Sequence, residues 1–429
     1  MSMLNRQLAP PTRPIGRVAL PTATVTQLPN GARLHILPHD AQPVVRLQVV
    51  LPAGRWYDPL PGVSLLTART LLDGTRTRTA RQIADEIAFY GASLECDQGF
   101  DRATLTLYCL SRHLEKLLPL VHDVLLNASF PDKEIEQLKT RTVQNIRVER
   151  QKTSYLASER FSQNLFGPKH PYGRPFSEES FQLLSANEAR SFHGQAYDLS
   201  IAELFLCGDV YDDHTHLIHS LLGKSNTSAL LVDKPTSQGE AQSTRNDYVP
   251  VGGSIQASLR LGRTWPSPLH SDTHKLQFLV KVLGGYFGSR LMKNIREDKG
   301  FTYGIYASIN HREHGSNLLI GSDVNAQNAE AAVTEIYHEM RKLQEEPVPA
   351  DELETVRSYI LGKFLNELGT IFEQADKYRT RILLGLPIDF HARFVADVET
   401  VTAKELQALA QTYLSPVELI EVVAGPERK

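Results

Sequence analysis

The chain repeats itself. Residues 54–60 read GRWYDPL and residues 262–269 read GRTWPSPL. An alternating apolar segment precedes each: Val45, Leu47, Val49 and Leu51 in the first half, Ile255, Ala257, Leu259 and Leu261 in the second. Further matches follow in the same order. Tyr90-Gly91-Ala92-Ser93 pairs with the run from Tyr303 to Ser308, Pro131-x-x-Glu134-Ile135 with Pro349-x-x-Glu352-Leu353, and Tyr197-x-x-Ser200 with Tyr413-x-Ser415. The leading pairs 54/262, 90/303, 131/349 and 197/413 are separated by 208, 213, 218 and 216 positions. Chance matches would neither keep their order nor hold so even a spacing. The chain must therefore build one fold twice.

The pattern between landmarks says which fold. Period-two alternation is what a half-buried strand requires, and it recurs at Ala103, Leu105, Leu107 and Cys109. Leu114, Leu117, Leu118, Val121 and Leu125 follow at helical spacing, with Pro119 expected to kink that helix. Ala329, Val333, Ile336, Met340 and Leu343 form the equivalent stripe in the second half. Each half closes on a strand, at 203–208 and 419–425. Strands and helices mixed within one half predict an α+β fold: two homologous domains, each a mainly antiparallel sheet covered by helices, facing each other across a cleft. The predicted divisions are an extended arm at 1–23, a first domain at 24–222, a linker at 223–247 and a second domain at 248–429. The linker is placed on the Ser, Thr, Gly and charge of its sequence.

Composition removes several functions. The net charge is −3, without the basic excess that holding phosphate backbones demands, so no nucleic-acid partner is expected. Cys96, Cys109 and Cys207 are too few and too scattered for a disulfide framework or a thiolate zinc site, and fit a reducing compartment. No apolar run approaches the roughly 18 residues of a membrane span. The first residues lack an apolar signal segment, and Pro10, Pro11 and Pro14 read as an extended arm, so the expected location is the cytoplasm.

Two motifs carry the chemistry. The first is Gly62-x-x-Leu65-x-x-Ala68-Arg69-x-x-x-x-Gly74-Thr75, on a helix soon after the first long strand. The second is the run from Leu283 to Tyr303, in which Arg296 and Tyr303 stand seven residues apart. In this order the segments resemble the pitrilysin/insulinase family of zinc peptidases, the inverted zincins, and most of all the two-domain bacterial relatives of the mitochondrial processing peptidase. The resemblance runs from Thr24 to Gly425.

That resemblance implies a zinc helix of the form H-x-x-E-H inside the Gly62–Thr75 frame. Two His at i and i+4 share a helix face and can grip one Zn²⁺, and the Glu beside them takes a proton from the metal-bound water. Here those positions are Leu65, Ala68 and Arg69. The family's third ligand, a Glu on a later helix, falls at Asn145, a poor zinc ligand on its own. Glu149, one turn further on, would be a ligand without partners. The resemblance also implies that Arg296 and Tyr303 contact bound peptide near the scissile bond, with Tyr306 as the fallback phenol. A guanidinium fork suits a peptide carbonyl or carboxylate, and a phenol can donate to a developing oxyanion.

The family includes two-chain enzymes in which one subunit carries the zinc helix and the other the Arg/Tyr pair. The implied role is the non-catalytic, substrate-binding subunit of a heteromeric zinc metallopeptidase. No cofactor is expected in this chain, and zinc is expected in an H-x-x-E-H-bearing partner. The competing reading is a structural or peptide-binding pseudopeptidase with no peptidase partner.

Three other clusters read as ordinary structure. His311-Arg312-Glu313-His314 is expected to be a solvated turn. Asp212 and Asp213 belong at the start of a helix whose His214, His216 and His219 are surface polars. Gly284-Gly285-x-x-Gly288 lacks a phosphate-binding order and reads as a turn letting the Arg296 helix pack closely.

Overall fold

The computed structural model describes residues 20–224 and 245–427. Most of the expected arm and most of the expected linker lie outside those residues. The first half forms a six-stranded sheet from β1 (Thr24–Gln27), β2 (Arg33–Pro38), β3 (Val44–Leu51), β4 (Ser93–Gln98), β5 (Ala103–Leu110) and β6 (Glu203–Gly208). The second forms a five-stranded sheet from β7 (Asn246–Pro250), β8 (Gln256–Trp265), β9 (Thr302–Arg312), β10 (Gly315–Asn325) and β11 (Ile420–Gly425). The orders are β1-β2-β6-β3-β5-β4 and β7-β11-β8-β10-β9. Only β2/β6 and β7/β11 run parallel, so both sheets are mainly antiparallel. Strand β7 begins at Asn246, two residues inside the expected linker.

The helices of the first half are α1 (Val63–Thr70), α2 (Ala80–Phe89), α3 (Leu114–Asn127), α4 (Asp132–Glu149), α5 (Thr153–Phe166), α6 (Glu178–Gln182), α7 (Ala186–Ala196) and α8 (Asp212–Leu222). Those of the second are α9 (Thr273–Gly284), α10 (Ala329–Glu345), α11 (Ala350–Asn366), α12 (Ile371–Leu383), α13 (Phe390–Thr400) and α14 (Ala403–Tyr413). Reciprocal capping boxes start α2 at Thr79/Gln82, α7 at Ser185/Glu188, α12 at Thr370/Glu373 and α14 at Thr402/Glu405. Helix α3 runs on through Pro119. Asp212 and Asp213 open α8, where they favour the positive end of the helix dipole.

The apolar alternation points into the cores except at Ile255, which precedes β8 and is 82 % exposed. Val45, Leu47, Val49 and Leu51 enter one core with α1, α3 and α7; Leu259 and Leu261 enter a second with α9 and α10. The opposite strand faces depart from expectation. Alternation leaves Arg46 and Gln48 for water, yet both are buried. Helix α12, from the second half, covers this face of the first sheet: Arg46 donates to Asp376 Oδ1 at 2.9 Å and to the Phe372 carbonyl at 3.0 Å, and Leu37, Val50 and Phe205 pack on Ala375 and Tyr378.

The exchange is mutual. Helix α5, from the first half, covers the second sheet, where Phe161 and Leu165 pack on Val422 and Ala424. Arg260 of β8 donates to Ser158 Oγ at 3.0 Å and to the Ser154 carbonyl at 3.4 Å. A Cβ on Gly262 would sit 2.8 Å from Phe161 Cζ and 2.0 Å from the Leu318 carbonyl oxygen, so only glycine admits the helix so close. Arg46 and Arg260 are 214 positions apart, and their helix partners 372/376 and 154/158 are 218 apart. The duplication thus extends to the interlock, and neither half is closed on itself.

Of the expected solvated turn at 311–314, His311 and Arg312 end β9 and only Glu313 and His314 form the turn to β10, and the tip is docked rather than solvated. Arg102 Nε and Nη2 meet the two Glu313 oxygens at 2.6 and 2.8 Å. His314 stacks on Trp56, centroids 3.9 Å apart, and Arg312 lies 3.7 Å over the Phe100 ring. Tyr172 donates to Asp101 Oδ1 at 2.5 Å and accepts the His314 N–H at 3.2 Å. The tip carries charges and rings matched to the first half, so its polarity marks an internal contact. Trp265, the repeat counterpart of Trp56, ends β8 and packs on Tyr413 within its own half.

Burial holds His193 and His311 down at about 4, and burial with the nearby Lys377 charge does the same for His391. An unfolded His titrates near 6.5. Above that value both states are neutral and these groups leave stability unchanged. Below it the unfolded chain binds protons that the folded chain refuses, so stability is lost as pH falls from about 6.5 toward 4. Thermal unfolding midpoints measured across this window should fall, and His193→Gln should flatten part of the slope. A flat profile in the wild-type chain would contradict neutral buried imidazoles.

Candidate functional site

Helix α1 starts from a left-handed turn. Gly62 has φ 100°, and Asp58 caps the helix by accepting the Gly62 N–H at 3.0 Å and the Ser64 N–H at 2.6 Å. Burial pushes the Asp58 carboxyl upward against these hydrogen bonds. A Cβ on Gly62 would meet Phe181 Cζ at 2.7 Å. At the far end of the frame Gly74 has φ 143°, and Thr75 Oγ1 donates to Asp123 Oδ2 at 2.7 Å. The frame residues therefore hold backbone and packing whatever stands between them.

What stands between them is not a metal site. Leu65 packs half-buried against the core, Ala68 is 2 % exposed within it, and Arg69 points to solvent. Asn145 is exposed on α4, which packs beside α1. Glu149 is paired with Lys152 at 2.6 Å. The thiol on neighbouring β4, Cys96, is pushed up to about 12, chiefly by burial, and stays protonated. Among the described residues no group of three or more His, Cys, Asp or Glu is arranged to hold a metal ion. A hydrocarbon, a methyl, a guanidinium and a lone amide do not fit zinc.

The second motif is built differently. Gly284 ends α9, and a Cβ there would lie 2.8 Å from Ala307 Cβ on β9. That close approach seats the next segment, Met292–Asp298, against the head of β9, where the Ile305 N–H reaches Met292 Sδ at 3.5 Å. The segment is wound as a π-helix, a form often found at functional positions. Arg296 lies on it, its guanidinium carbon 4.3 Å above the Phe287 ring, and its Nη1 is buried without a hydrogen-bond partner. Tyr303 stands at the head of edge strand β9 and is 97 % exposed; Tyr306 is 44 % exposed. Among the described residues no hydrogen bond joins Arg296 to Tyr303. The π-winding and the Phe287 platform have no signal in the sequence beyond an aromatic residue nine positions before the arginine.

Residues 35–175 match the family model for insulinase, peptidase family M16, and residues 184–360 match the model for the peptidase M16 inactive domain. The chain belongs to peptidase family M16. Its fold agrees with that of the M16 inactive domain from Pseudomonas fluorescens, at a TM-score of 0.86 and 21 % identity over 95 % of this chain and 98 % of that one. The non-peptidase homolog YmxG of Helicobacter pylori is 21 % identical over 376 residues, 86 % of this chain and 85 % of the relative. The uncharacterized zinc protease YmxG of Bacillus subtilis is 21 % identical over 363 residues, 83 % of this chain and 87 % of the relative. No described helix of this M16 chain is long and apolar enough to cross a membrane.

Proposed function

We propose that this chain is the non-catalytic, substrate-binding subunit of a heteromeric zinc metallopeptidase. The observation that carries the reading is the asymmetry between the two motifs. The zinc helix keeps its frame but presents Leu65, Ala68 and Arg69, two of them packed into hydrocarbon, whereas Tyr303 stands exposed and Arg296 lies half-buried over Phe287 with its Nη1 unpaired. A family relative named as a non-peptidase homolog is in keeping with this. The partner, an H-x-x-E-H-bearing M16 peptidase, would hold the zinc and the general base. This chain would close the chamber and bind peptide.

Unpaired edges at β4 and β9 offer main-chain hydrogen bonds to an extended peptide, giving affinity with loose side-chain specificity. Arg296 would turn its guanidinium from the Phe287 ring to take a peptide carbonyl or carboxylate. Tyr303 would donate to the oxyanion. Cys96, Cys109 and Cys207 are free, which suits the cytoplasm as the working location.

The test begins with the purified chain, for which metal analysis should return well under one zinc per molecule and peptide assays no hydrolysis. Mixing it with a zinc-helix M16 partner should then produce hydrolysis that neither chain shows alone. Tight zinc at one per chain, lost to chelator together with activity, would refute the assignment. Failure of every zinc-helix partner to gain activity or to associate would favour a scaffold without a peptidase.

A further inference from the structure

Where α12 leaves the second half to cover the first sheet, it encloses a cavity of about 350 Å³ together with α9, α11, α13 and the end of β9. The volume is at the small end of ligand pockets. One wall is aromatic: Phe364 and Phe390 are buried, and Phe394 packs 5.1 Å from Phe364. The other is cationic. Lys281, Lys363, Lys377 and Arg381 line it against one carboxylate, Glu367. Lys363 and Lys377 already share that carboxylate, at 3.8 and 2.5 Å, and Arg381 lies 5.0 Å over the Tyr378 ring. Four positive groups facing one negative group leave an uncompensated field in a partly desolvated space. Lys281 records it: burial and then the Lys363 charge lower its proton affinity.

Two donors or acceptors in the same wall are also unspent. His311 Nδ1 meets Ser316 Oγ at 2.8 Å, but its Nε2 is buried without a partner. His391 Nε2 is buried and unpartnered as well. Buried polar atoms without partners are uncommon and call for a cause. Aromatic floor, positive rim and free imidazole nitrogens together describe a complement to a flat apolar body bearing one negative group.

We propose that this cavity is a binding site for a small aromatic carboxylate, separate from the Arg296/Tyr303 motif. Its rings would stack on Phe364 and Phe390. Its carboxylate would face Lys363 and Arg381 and accept from an imidazole Nε2–H, which needs no protonated histidine if Ser316 donates to His311 Nδ1. Because Thr380 and Arg381 come from α12, an occupant would also brace the helix that locks the halves together.

The probe is 2-naphthoate, with 2-naphthalenemethanol as its neutral isostere and inorganic phosphate as an anion without a ring; binding to the full chain is followed by calorimetry. The carboxylate should bind at least about tenfold more tightly than the alcohol, phosphate should not compete at equal concentration, and the complex should unfold at a higher temperature than the free chain. Lys363→Gln and Arg381→Gln should each weaken 2-naphthoate several-fold while leaving the alcohol unchanged. Lys363 is 49 % exposed, so its replacement should keep the wild-type unfolding midpoint. Equal binding of acid and alcohol would reduce the site to a greasy hole and overturn the proposal. So would binding of phosphate as tight as that of 2-naphthoate, no binding of the acid at all, or variants that bind it as the wild type does.

Discussion

Arg296→Ala should lower the peptide-hydrolysis rate of the proposed reconstituted pair by about a hundred- to a thousand-fold, the usual loss when one donor to a developing negative charge is removed. Tyr303→Phe, which deletes a single hydroxyl, should fall in the same range. The size of the effect rests on position. A partner's zinc would activate water and polarise the carbonyl, and these two side chains would supply the opposite wall, where charge develops. Tyr303 is 97 % exposed and Arg296 bonds no protein group through Nη1, so neither change should loosen the fold. Circular dichroism and size-exclusion of the mixture should therefore match the wild type while kcat falls. An unchanged kcat in both variants would make the pair ornamental and leave the structural, peptidase-free reading as the better one.

Trp56→Ala should cost about 3–5 kcal/mol of stability, the range for truncating a large buried aromatic side chain. Trp56 is 5 % exposed, stacks on His314 from the other half and touches His170 and Tyr172 at centroid distances of 5.4 and 5.1 Å. Its loss would open a void at the point where Arg102, Glu313, Asp101 and Tyr172 share hydrogen bonds, so the damage should spread to that network. Urea denaturation with the intrinsic fluorescence of Trp265 as reporter measures it. A loss below about 1 kcal/mol would mean that the turn at 311–314 is dispensable to the contact.

Much of this was legible in the residues. The landmarks at 208 to 218 positions announce two copies, and the alternation at Val45–Leu51 and Ile255–Leu261 picks out the faces that meet the helices, Ile255 excepted. The frame glycines Gly62 and Gly74 stood out only as the borders of a family motif, and the structure adds that both hold positive φ. The second faces of the sheets were not. Arg46 and Arg260 look like solvent-facing residues until a helix from the far half supplies their acceptors. A polar residue carries no mark that tells water from a distant carbonyl. The His311–His314 turn failed for the same reason. At the site, the family resemblance pointed to the positions Leu65, Ala68, Arg69 and Asn145 and their side chains said that they do not suit zinc, whereas nothing in the sequence marks the close approach of Gly284 at the end of α9 to Ala307, 23 positions on, beside the π-wound segment of Arg296.

The exchange of α5 and α12 makes the molecule a dimer in all but covalent bonding. Each half on its own would expose one whole sheet face, with Arg46 or Arg260 stranded and the apolar rows around Val50 or Val422 wet. Half a chain could satisfy that face only by trading the helix with a second half. An ancestor of half this length would thus have been an obligate swapped pair, and fusion of its genes would have changed the concentration at which the halves meet rather than the contacts they make. A backbone cut between residues 225 and 244 should consequently leave one particle of unchanged size on a sizing column, while either fragment made alone should aggregate or remain unfolded until the other is added.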